Sequence, residues 1–422
     1  MAETATQTSG PGAAGGAENT SRILVVGDAV AHTGFARAIR AIFGPLVDRF
    51  EIHQLGLNYW GDPHDWPWPI YPANPERYSL GVERIEELVA KVRPNLVFVL
   101  NDPEAIARYL IPLRRFASLP VVAYGTYNAG PVDPEDLAPL EGCSRLAVFT
   151  EFARRAIDEG LARSAKAPDL PPVDVMPLGV DRGVFCPLDP DRAEARRLAR
   201  GQLFADHPEL RDGFIVLNAN RNQPRKRIDV TMEGFAHFAE GRDDVFLHLH
   251  MGAQDIGWDL RRLGRRLGID SRLILSHAGP GIPDLPDSAL ARIYNAADVG
   301  INTASSEGWG LVSFEQAAVG LAQVVPEHTS GGELWRGAAE LLPTALTLTD
   351  PSHGLAESLI DPESVALALT RIYEDREHQR RLERAAIERA GETRFRWEEL
   401  SRRWGRIFEE VLTGSGVSDR AA

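Results

Sequence analysis

The feature that most constrains the fold of this chain is an alternation of short apolar segments with segments of helical periodicity, which runs through the chain twice. Such an alternation is typical of parallel strands whose sheet is covered by helices on both faces. The strand segments of the first series are 22–28, 50–57, 95–101, 121–125 and 146–150. Those of the second series are 214–219, 245–251, 273–276, 299–302 and 323–326. The sequence therefore predicts an α/β protein with two doubly wound, Rossmann-like domains.

The boundary between the two predicted domains lies near residue 185, between proline-rich segments at 167–172 and 187–190. We predict a disordered tail at 1–21, a first domain at 22–184, a second domain at 185–394 and a final helix at 395–414. The tail is rich in small and polar residues and lacks the apolar surface that would order it. The final helix carries apolar residues at helical spacing, so one of its faces must pack against another part of the protein.

Composition excludes several classes of function. The 422 residues carry a net charge of −14, which disfavours general binding to nucleic acid. The chain has two cysteines, Cys143 and Cys186, which are too few and too far apart for a disulfide scaffold or a cysteine-based metal site. No apolar run reaches 18 residues and the first residues do not resemble a signal peptide, so we expect a cytoplasmic protein. Membrane association is not expected either, because the first 180 residues carry no overall basic bias, and only a local basic patch would allow it.

A glycine-rich turn follows one strand of the second series. The segment 305–318 (SSEGWGLVSFEQAA) predicts a strand, a turn and then a helix, which places free N–H groups at a helix N-terminus and favours an anion there. Glu307 lies in the turn and Glu315 lies in the helix, roughly 12 Å further along at ~1.5 Å per residue. These two carboxylates could hold the ends of an elongated, hydroxyl-rich ligand with an anion between them, and a nucleoside diphosphate sugar has that layout.

A basic segment follows another strand of the same series, at 218–229 (NANRNQPRKRID). Arg221 and Lys226 would lie where strand ends meet helix starts, which is the ligand edge of an open α/β sheet. Arginine suits bidentate phosphate contacts and lysine acts as a compact charge. A solvated basic turn is the alternative, but the chain has only three lysines, Lys91, Lys166 and Lys226, which favours a specific role.

Together these motifs resemble the retaining glycosyltransferases of family 4. The resemblance is carried by Arg221 and Lys226, spaced by four residues, and by Glu307 and Glu315, spaced by seven. The segments 176–188 (MPLGVDRGVFCPL) and 395–400 (FRWEEL) are also similar to that family. The resemblance implies the GT-B architecture, in which two Rossmann-like domains face a central cleft and a C-terminal helix returns to the N-terminal domain.

The resemblance also implies an activity and a set of site residues. A hexosyl-type unit would pass from a nucleotide-sugar donor to an acceptor hydroxyl with retention of configuration, without a metal or another cofactor. Arg221 and Lys226 would stabilise the departing diphosphate and Glu307 would contact the donor sugar, as the catalytic residues, while Glu315 would bind the ribose hydroxyls. The remaining predicted donor-binding residues, largely through their backbone, are Gly34, Gly308, Trp309, Gly310 and Leu311.

The acceptor side of the predicted cleft departs from the family pattern. Many relatives carry a histidine after the central strand of the first domain, whereas the segment 121–133 here (VVAYGTYNAGPVD) has none. Four residues could take its place, and the sequence does not choose among His32, Tyr127, Asn128 and Asp133. The nucleotide base, the sugar, the acceptor and the oligomeric state are likewise not specified.

Two other functions share the predicted architecture: a sugar-nucleotide epimerase, and a non-catalytic subunit that binds a nucleotide sugar.

The loop 59–71, with three Trp and two Tyr, predicts either hydrophobic packing or a sugar-stacking platform. No metal is expected. Asp189 and Asp191 match a metal motif of other glycosyltransferases but lie in a predicted linker, and His248 and His250 fit a buried strand.

Overall fold

Two parallel sheets follow each other along the chain in the computed structural model, which describes residues 20–31, 33–73, 80–280, 283, 285–350 and 354–414. The strands of the first sheet are β1 (Arg22–Asp28), β2 (Glu51–Leu57), β3 (Ile70–Pro72), β4 (Leu96–Asn101), β5 (Val121–Gly125), β6 (Arg145–Val148) and β7 (Val173–Val175). Its helices are α1 (Gly34–Phe43), α2 (Ile85–Val92), α3 (Pro103–Leu113), α4 (Pro134–Leu137) and α5 (Glu151–Ala162). These elements are called the first domain below.

The second domain repeats this arrangement. Its strands are β8 (Phe214–Asn218), β9 (Val245–Gln254), β10 (Leu273–Pro280), β11 (Val299–Ile301), β12 (Ala322–Pro326) and β13 (Glu340–Leu342). Its helices are α6 (Arg192–Leu203), α7 (Pro208–Asp212), α8 (Ile228–Ala239), α9 (Leu260–Leu267), α10 (Asp287–Ala296), α11 (Leu311–Ala318), α12 (Thr329–Trp335), α13 (Pro362–Glu374) and α14 (Arg376–Ala390). The chain ends its described part with α15 (Trp397–Thr413). The two doubly wound domains predicted from the apolar periodicity are therefore confirmed.

Among the elements that were not predicted is a two-stranded antiparallel hairpin formed by β14 (Thr344–Thr349) and β15 (Ala356–Ile360). All six residues of β14 are exposed, so the strand buries no face against a sheet. Because neither strand joins the parallel sheets, the pattern of continuous apolar segments could not reveal it.

The order of the strands determines where the functional loops lie. The first sheet runs β3-β2-β1-β4-β5-β6-β7 and the second runs β10-β9-β8-β11-β12-β13. Strand order therefore reverses between β1 and β4, and again between β8 and β11. Ligands of open α/β sheets bind in the crevice outside the carboxyl ends of the strands at such a reversal. The loops after these four strands are thus the expected position of a site.

The final helix completes the core of the first domain. Phe408 of α15 stacks on Phe43 of α1 with ring centroids 5.4 Å apart. Trp404 lies edge-on to Phe98 of β4 and Tyr124 of β5, at 5.2 and 4.8 Å. The Ser401 hydroxyl donates to the Ile42 carbonyl oxygen at 2.7 Å. The apolar face of α15 is therefore buried against the first sheet, although α15 is the last helix of the described chain.

Polar contacts with α10, α11 and α12 join the two domains. Arg37 of α1 reaches Asp287 of α10 at 2.9 Å and Glu315 of α11 at 3.0 Å. The Glu333 carboxylate of α12 accepts hydrogen bonds from the backbone N–H groups of Glu151 and Phe152, at 3.0 and 2.6 Å. These two N–H groups begin α5, so a side chain of one domain caps a helix of the other.

The tryptophan-rich loop at 59–71 is chiefly a packing element. Trp66 and Trp68 are buried beside α1, and the Trp68 indole N–H donates to the Gln54 amide oxygen at 2.9 Å. Trp60 is exposed at 53%. Because two of the three rings are buried in the core, the structure favours hydrophobic packing over a sugar-stacking platform.

We expect Trp404→Ala to lower the free energy of unfolding of the first domain by about 3–5 kcal/mol, because it leaves a cavity among Phe98, Tyr124 and Phe408. Urea denaturation followed by circular dichroism measures this change. Trp60→Ala, which removes an exposed ring of the same type, should shift stability by no more than ~0.5 kcal/mol. Equal effects of the two substitutions would contradict the proposed anchoring role of α15.

Candidate active site

A cleft of about 810 Å³ lies between the domains, at the carboxyl ends of both sheets. The loops that follow β1, β4, β5, β8 and β11 line it, together with the start of α11. Two sequence motifs that lie about 80 residues apart in the chain, at 218–229 and 305–318, meet on its second-domain wall. The loops that follow the strand ends therefore come together in one cleft, as the strand order predicts.

The basic motif places three cations on that wall. Residues Pro224–Lys226 form a single 3₁₀ turn after β8. Lys226 is buried there, and its Nζ donates to a carboxylate oxygen of Glu307. Arg225 lies 3.6 Å from the other Glu307 oxygen. Arg221 is nearer to solvent, with a side chain 45% exposed and paired to Asp255 at 2.8 Å.

The ion pair between Lys226 and Glu307 determines the charge at the centre of the cleft. Burial acts to raise the pKa of Glu307, but Lys226 and Arg225 outweigh burial and lower that pKa to about 2. Burial lowers the pKa of Lys226 below its ordinary value, and the Glu307 carboxylate opposes this effect. Glu307 is therefore ionised at neutral pH and supplies the countercharge of a buried ammonium, a role that an anionic ligand could share.

The glycines of the second motif allow the domains to approach closely. Gly310 has φ of 86°, a conformation that favours glycine, and α11 begins after it without a side-chain cap. A Cβ on Gly308 would lie 2.3 Å from the Thr126 Oγ1, and a Cβ on Gly34 would lie 2.6 Å from Leu311 Cδ1. The uncapped N–H groups at the start of α11 therefore border the cleft, where they are suited to an anion.

Trp309 contributes to the cleft and to the core at once. Its ring is buried and stacks on Phe314 with centroids 4.8 Å apart. Any contact of Trp309 with a donor would therefore use its backbone, as the sequence analysis predicted for this turn.

Glu315 is separated from the cleft. It is 2% exposed; one of its oxygens accepts a hydrogen bond from the Tyr294 hydroxyl at 3.2 Å, and the other forms an ion pair with the Arg37 guanidinium at 3.0 Å. Arg37 lines the cleft and Glu315 does not. Burial raises the pKa of Glu315 to about 7, although Arg37 opposes the increase. A ribose contact for Glu315 thus stays a prediction.

The four acceptor-side candidates are placed differently. Tyr127 and Asn128 line the cleft, but the Tyr127 hydroxyl is buried, and the Asn128 amide oxygen accepts a hydrogen bond from Thr126 at 3.2 Å. Asp133 does not line the cleft, and it caps α4 by accepting from the Glu135 N–H at 2.9 Å. This capping explains why an Asp precedes Pro134 there. His32 lies outside the residues that the structure describes.

Several cleft residues were missed by sequence reasoning, although the strand-end rule applied to Arg221 could have found three of them. Asp28 ends β1 and Asp102 follows β4, and both side chains line the cleft. Thr126 follows β5 in the same way. Arg37 lies inside α1, where helical periodicity gives no sign that it faces a ligand.

The residues that the sequence offered as possible metal ligands make contacts within the fold. Asp191 caps α6 by accepting from the Ala193 N–H at 2.9 Å, and Asp189 accepts from the Asp191 N–H at 2.8 Å. His248 contacts the Ser276 hydroxyl at 2.6 Å, and burial lowers the pKa of His248 to about 3. Within the described ranges, no group of three or more His, Cys, Asp or Glu residues is arranged to hold a metal ion.

The raised pKa of Glu315 predicts a dependence of stability on pH. A carboxyl whose pKa rises from 4.5 to about 7 on folding stabilises the protein below pH 4.5, and this stabilisation is lost as pH rises through about 7. Relative to Glu315→Gln, we expect the wild type to lose about 1–3 kcal/mol between about pH 5 and pH 7.5. Urea denaturation across this range measures the difference. Glu159→Gln, an exposed change on α5, is the matched control, and a constant offset between the wild type and Glu315→Gln would contradict the prediction.

No family model matches the chain. Among curated proteins, D-inositol 3-phosphate glycosyltransferase of Segniliparus rotundus is 28% identical over 68% of this chain and 59% of its own length. The match thus spans less than two thirds of that relative.

No helix within the described ranges has the length and apolar character needed to cross a membrane.

Solved structures match over nearly the whole chain. Sucrose-phosphate synthase from Thermosynechococcus elongatus superposes with a TM-score of 0.73 and 17% identity, covering 93% of this chain and 100% of its own. The Anabaena protein HepE, in complex with UDP and glucose, gives a TM-score of 0.68 and 16% identity, with 92% and 100% covered. The predicted architecture is confirmed: the chain has the GT-B fold, and its relatives are glycosyltransferases.

Proposed function

We propose that this protein is a retaining, metal-independent glycosyltransferase of family 4, which moves a hexosyl unit from a nucleoside diphosphate sugar to an acceptor hydroxyl. The observation that carries this proposal is the convergence of Lys226, Arg225 and Glu307 on the start of α11 inside the interdomain cleft. Cations, an uncapped helix start and a carboxylate in one crevice are the groups that a donor with a diphosphate and a sugar requires.

The donor diphosphate lies against Arg221, Arg225 and Lys226 in this proposal. Lys226 is already desolvated and held by Glu307, so little reorganisation is needed when negative charge develops on the departing diphosphate. The Glu307 carboxylate then accepts hydrogen bonds both from Lys226 and from the hydroxyls of the transferred sugar. The three cations supply the charge that a metal ion provides in other transferases.

The proposed reaction keeps the configuration of the sugar. The bond between the anomeric carbon and the diphosphate oxygen breaks, and the acceptor oxygen bonds to the same face of that carbon. The proton of the acceptor hydroxyl passes to the departing phosphate oxygen, so no separate base is required. Nuclear magnetic resonance of the product tests this proposal, because an inverted anomeric configuration would contradict it.

A cytoplasmic location accompanies this proposal. Cys143 and Cys186 are both free thiols, as in proteins of a reducing compartment.

The acceptor is a separate question. The name of the Segniliparus relative indicates a phosphorylated inositol for that protein, so a phosphorylated acceptor is one alternative for this chain.

We expect Lys226→Ala to lower kcat by about 10²–10³, because it removes a charge that acts on the developing diphosphate. Steady-state release of the nucleoside diphosphate measures the change, and circular dichroism checks that the variant is folded. Lys166→Ala removes an exposed lysine outside the cleft lining and should leave kcat unaltered. Near-normal turnover by folded Lys226→Ala would contradict the proposed role.

We expect the cognate donor to raise the melting temperature, because a ligand that binds only the folded state stabilises it. UDP-glucose is the first donor to test, since the HepE structure contains UDP and glucose, and GDP-, ADP- and dTDP-sugars complete the screen. Product analysis then separates the alternatives. Free nucleotide with a new glycoside supports a transferase, an isomerised donor indicates an epimerase, and binding without turnover indicates a non-catalytic subunit.

A further inference from the structure

The backbone of Glu307 is held by the residues that begin α12. The Glu307 N–H donates to the Thr329 hydroxyl oxygen at 3.2 Å, and the Ser330 N–H donates to the Glu307 carbonyl oxygen at 3.3 Å. The Glu307 carboxylate is bound separately, by Lys226 and Arg225. The cations thus hold the side chain of Glu307, whereas the start of α12 holds its backbone.

Thr329 adopts a backbone conformation that its side chain disfavours. Its φ is 51°, in the left-handed region, where a β-branched residue is an outlier. Such a conformation is unfavourable and persists only where the surrounding structure enforces it. A glycine would adopt it without strain. A threonine at this position therefore points to a use for its hydroxyl group.

Two other sets of contacts constrain the start of α12. A Cβ on Gly331 or Gly332 would collide with the carbonyl oxygens of Pro326 and Glu327, so the chain turns tightly after β12. Further along α12, the Glu333 carboxylate accepts hydrogen bonds from the first turn of α5 in the first domain. The left-handed residue in the middle of this turn is thus held in place by contacts that do not involve its hydroxyl.

A cavity of about 10 Å³ borders the same turn, and its lining includes Glu307, Trp309, His328 and Ser330. The polar side-chain atoms of the last three, Nε1, Nε2 and Oγ, are buried and have no hydrogen-bond partner among the described residues. Atoms that line an unfilled space lose packing contacts on that side. The position of the Glu307 turn therefore depends more on its hydrogen bonds to Thr329 and Ser330.

We infer that Thr329 is a positioning residue for Glu307, whose hydroxyl holds the Glu307 N–H and thereby aims the carboxylate at the donor sugar. The inference rests on the proposed function, in which Glu307 contacts the hydroxyls of that sugar. A displaced carboxylate would lose contacts that strengthen as the sugar leaves the diphosphate. Loss of the Thr329 hydroxyl would therefore lower kcat more than it raises the donor KM.

The test compares two substitutions of Thr329 in the full-length protein, with the donor identified by the thermal screen. Thr329→Gly removes the hydroxyl but permits the left-handed conformation, so the variant should fold. We expect its kcat to fall about tenfold and its donor KM to change by less than about twofold. Thr329→Ser retains the hydroxyl, and its kcat should stay within about twofold of that of the wild type.

Arg93→Gly is the matched control. Arg93 also has a positive φ, of 50°, but it is exposed and lies outside the cleft lining, so the same substitution there should leave kcat unaltered. Hydrogen exchange, followed by mass spectrometry on peptides that contain residue 307, reports the contact without any turnover. We expect the Glu307 N–H to exchange faster in Thr329→Gly than in the wild type and in Thr329→Ser.

The outcomes separate this inference from the function beneath it. Absence of donor turnover by the wild type would remove the proposed function, and faster exchange in Thr329→Gly would still support the hold on Glu307. Unchanged exchange in that variant overturns the inference whatever the activity. With an active wild type, a normal kcat of folded Thr329→Gly also overturns it. An equal loss of kcat in Thr329→Ser does the same, because the hydroxyl would then not be the cause.

Discussion

The buried ion pair between Lys226 and Glu307 is the interaction on which the centre of this protein depends. It joins the turn after β8 to the turn after β11, the two loops at the strand reversal of the second sheet. Removing one partner of such a pair leaves an uncompensated buried charge, at a cost of about 3–5 kcal/mol. The pair therefore fixes the relative position of two loops and, at the same time, keeps a desolvated cation beside the cleft.

Close contact between the domains is the second constraint. Gly34 and Gly308 each touch the opposite domain at distances that no Cβ could occupy, and the Glu333 carboxylate completes a helix of the first domain. Arg37 bridges the same gap to Glu315. The cleft walls are thus joined by contacts that do not themselves involve a ligand, while the ligand-facing groups lie between them.

The sequence predicted the parts of this structure that follow from periodicity and from strand ends. The bounds of β1 and β5 were predicted to the residue, because these apolar runs end at clear turns, and Lys226 and Glu307 were predicted to converge on one cleft between the domains. Asp102 obeys the same strand-end rule and could have been found. The contact of Arg37 with Glu315 could not have been predicted, because helical spacing does not reveal which residue of another domain covers a helix face. The β14–β15 hairpin escaped prediction because it buries no side of β14.

The position of α15 has a consequence for how the protein reaches its native state. Trp404 and Phe408 fill the space beside β4 and β5, yet they are synthesised after the whole of the second domain. Domains generally fold as units during synthesis, beginning at the N-terminus. Here the N-terminal domain cannot close its own core until residues 397–413 have left the ribosome. The order of synthesis and the order of completion are therefore reversed, and the second domain can finish folding while the first still exposes the apolar surface reserved for its last helix.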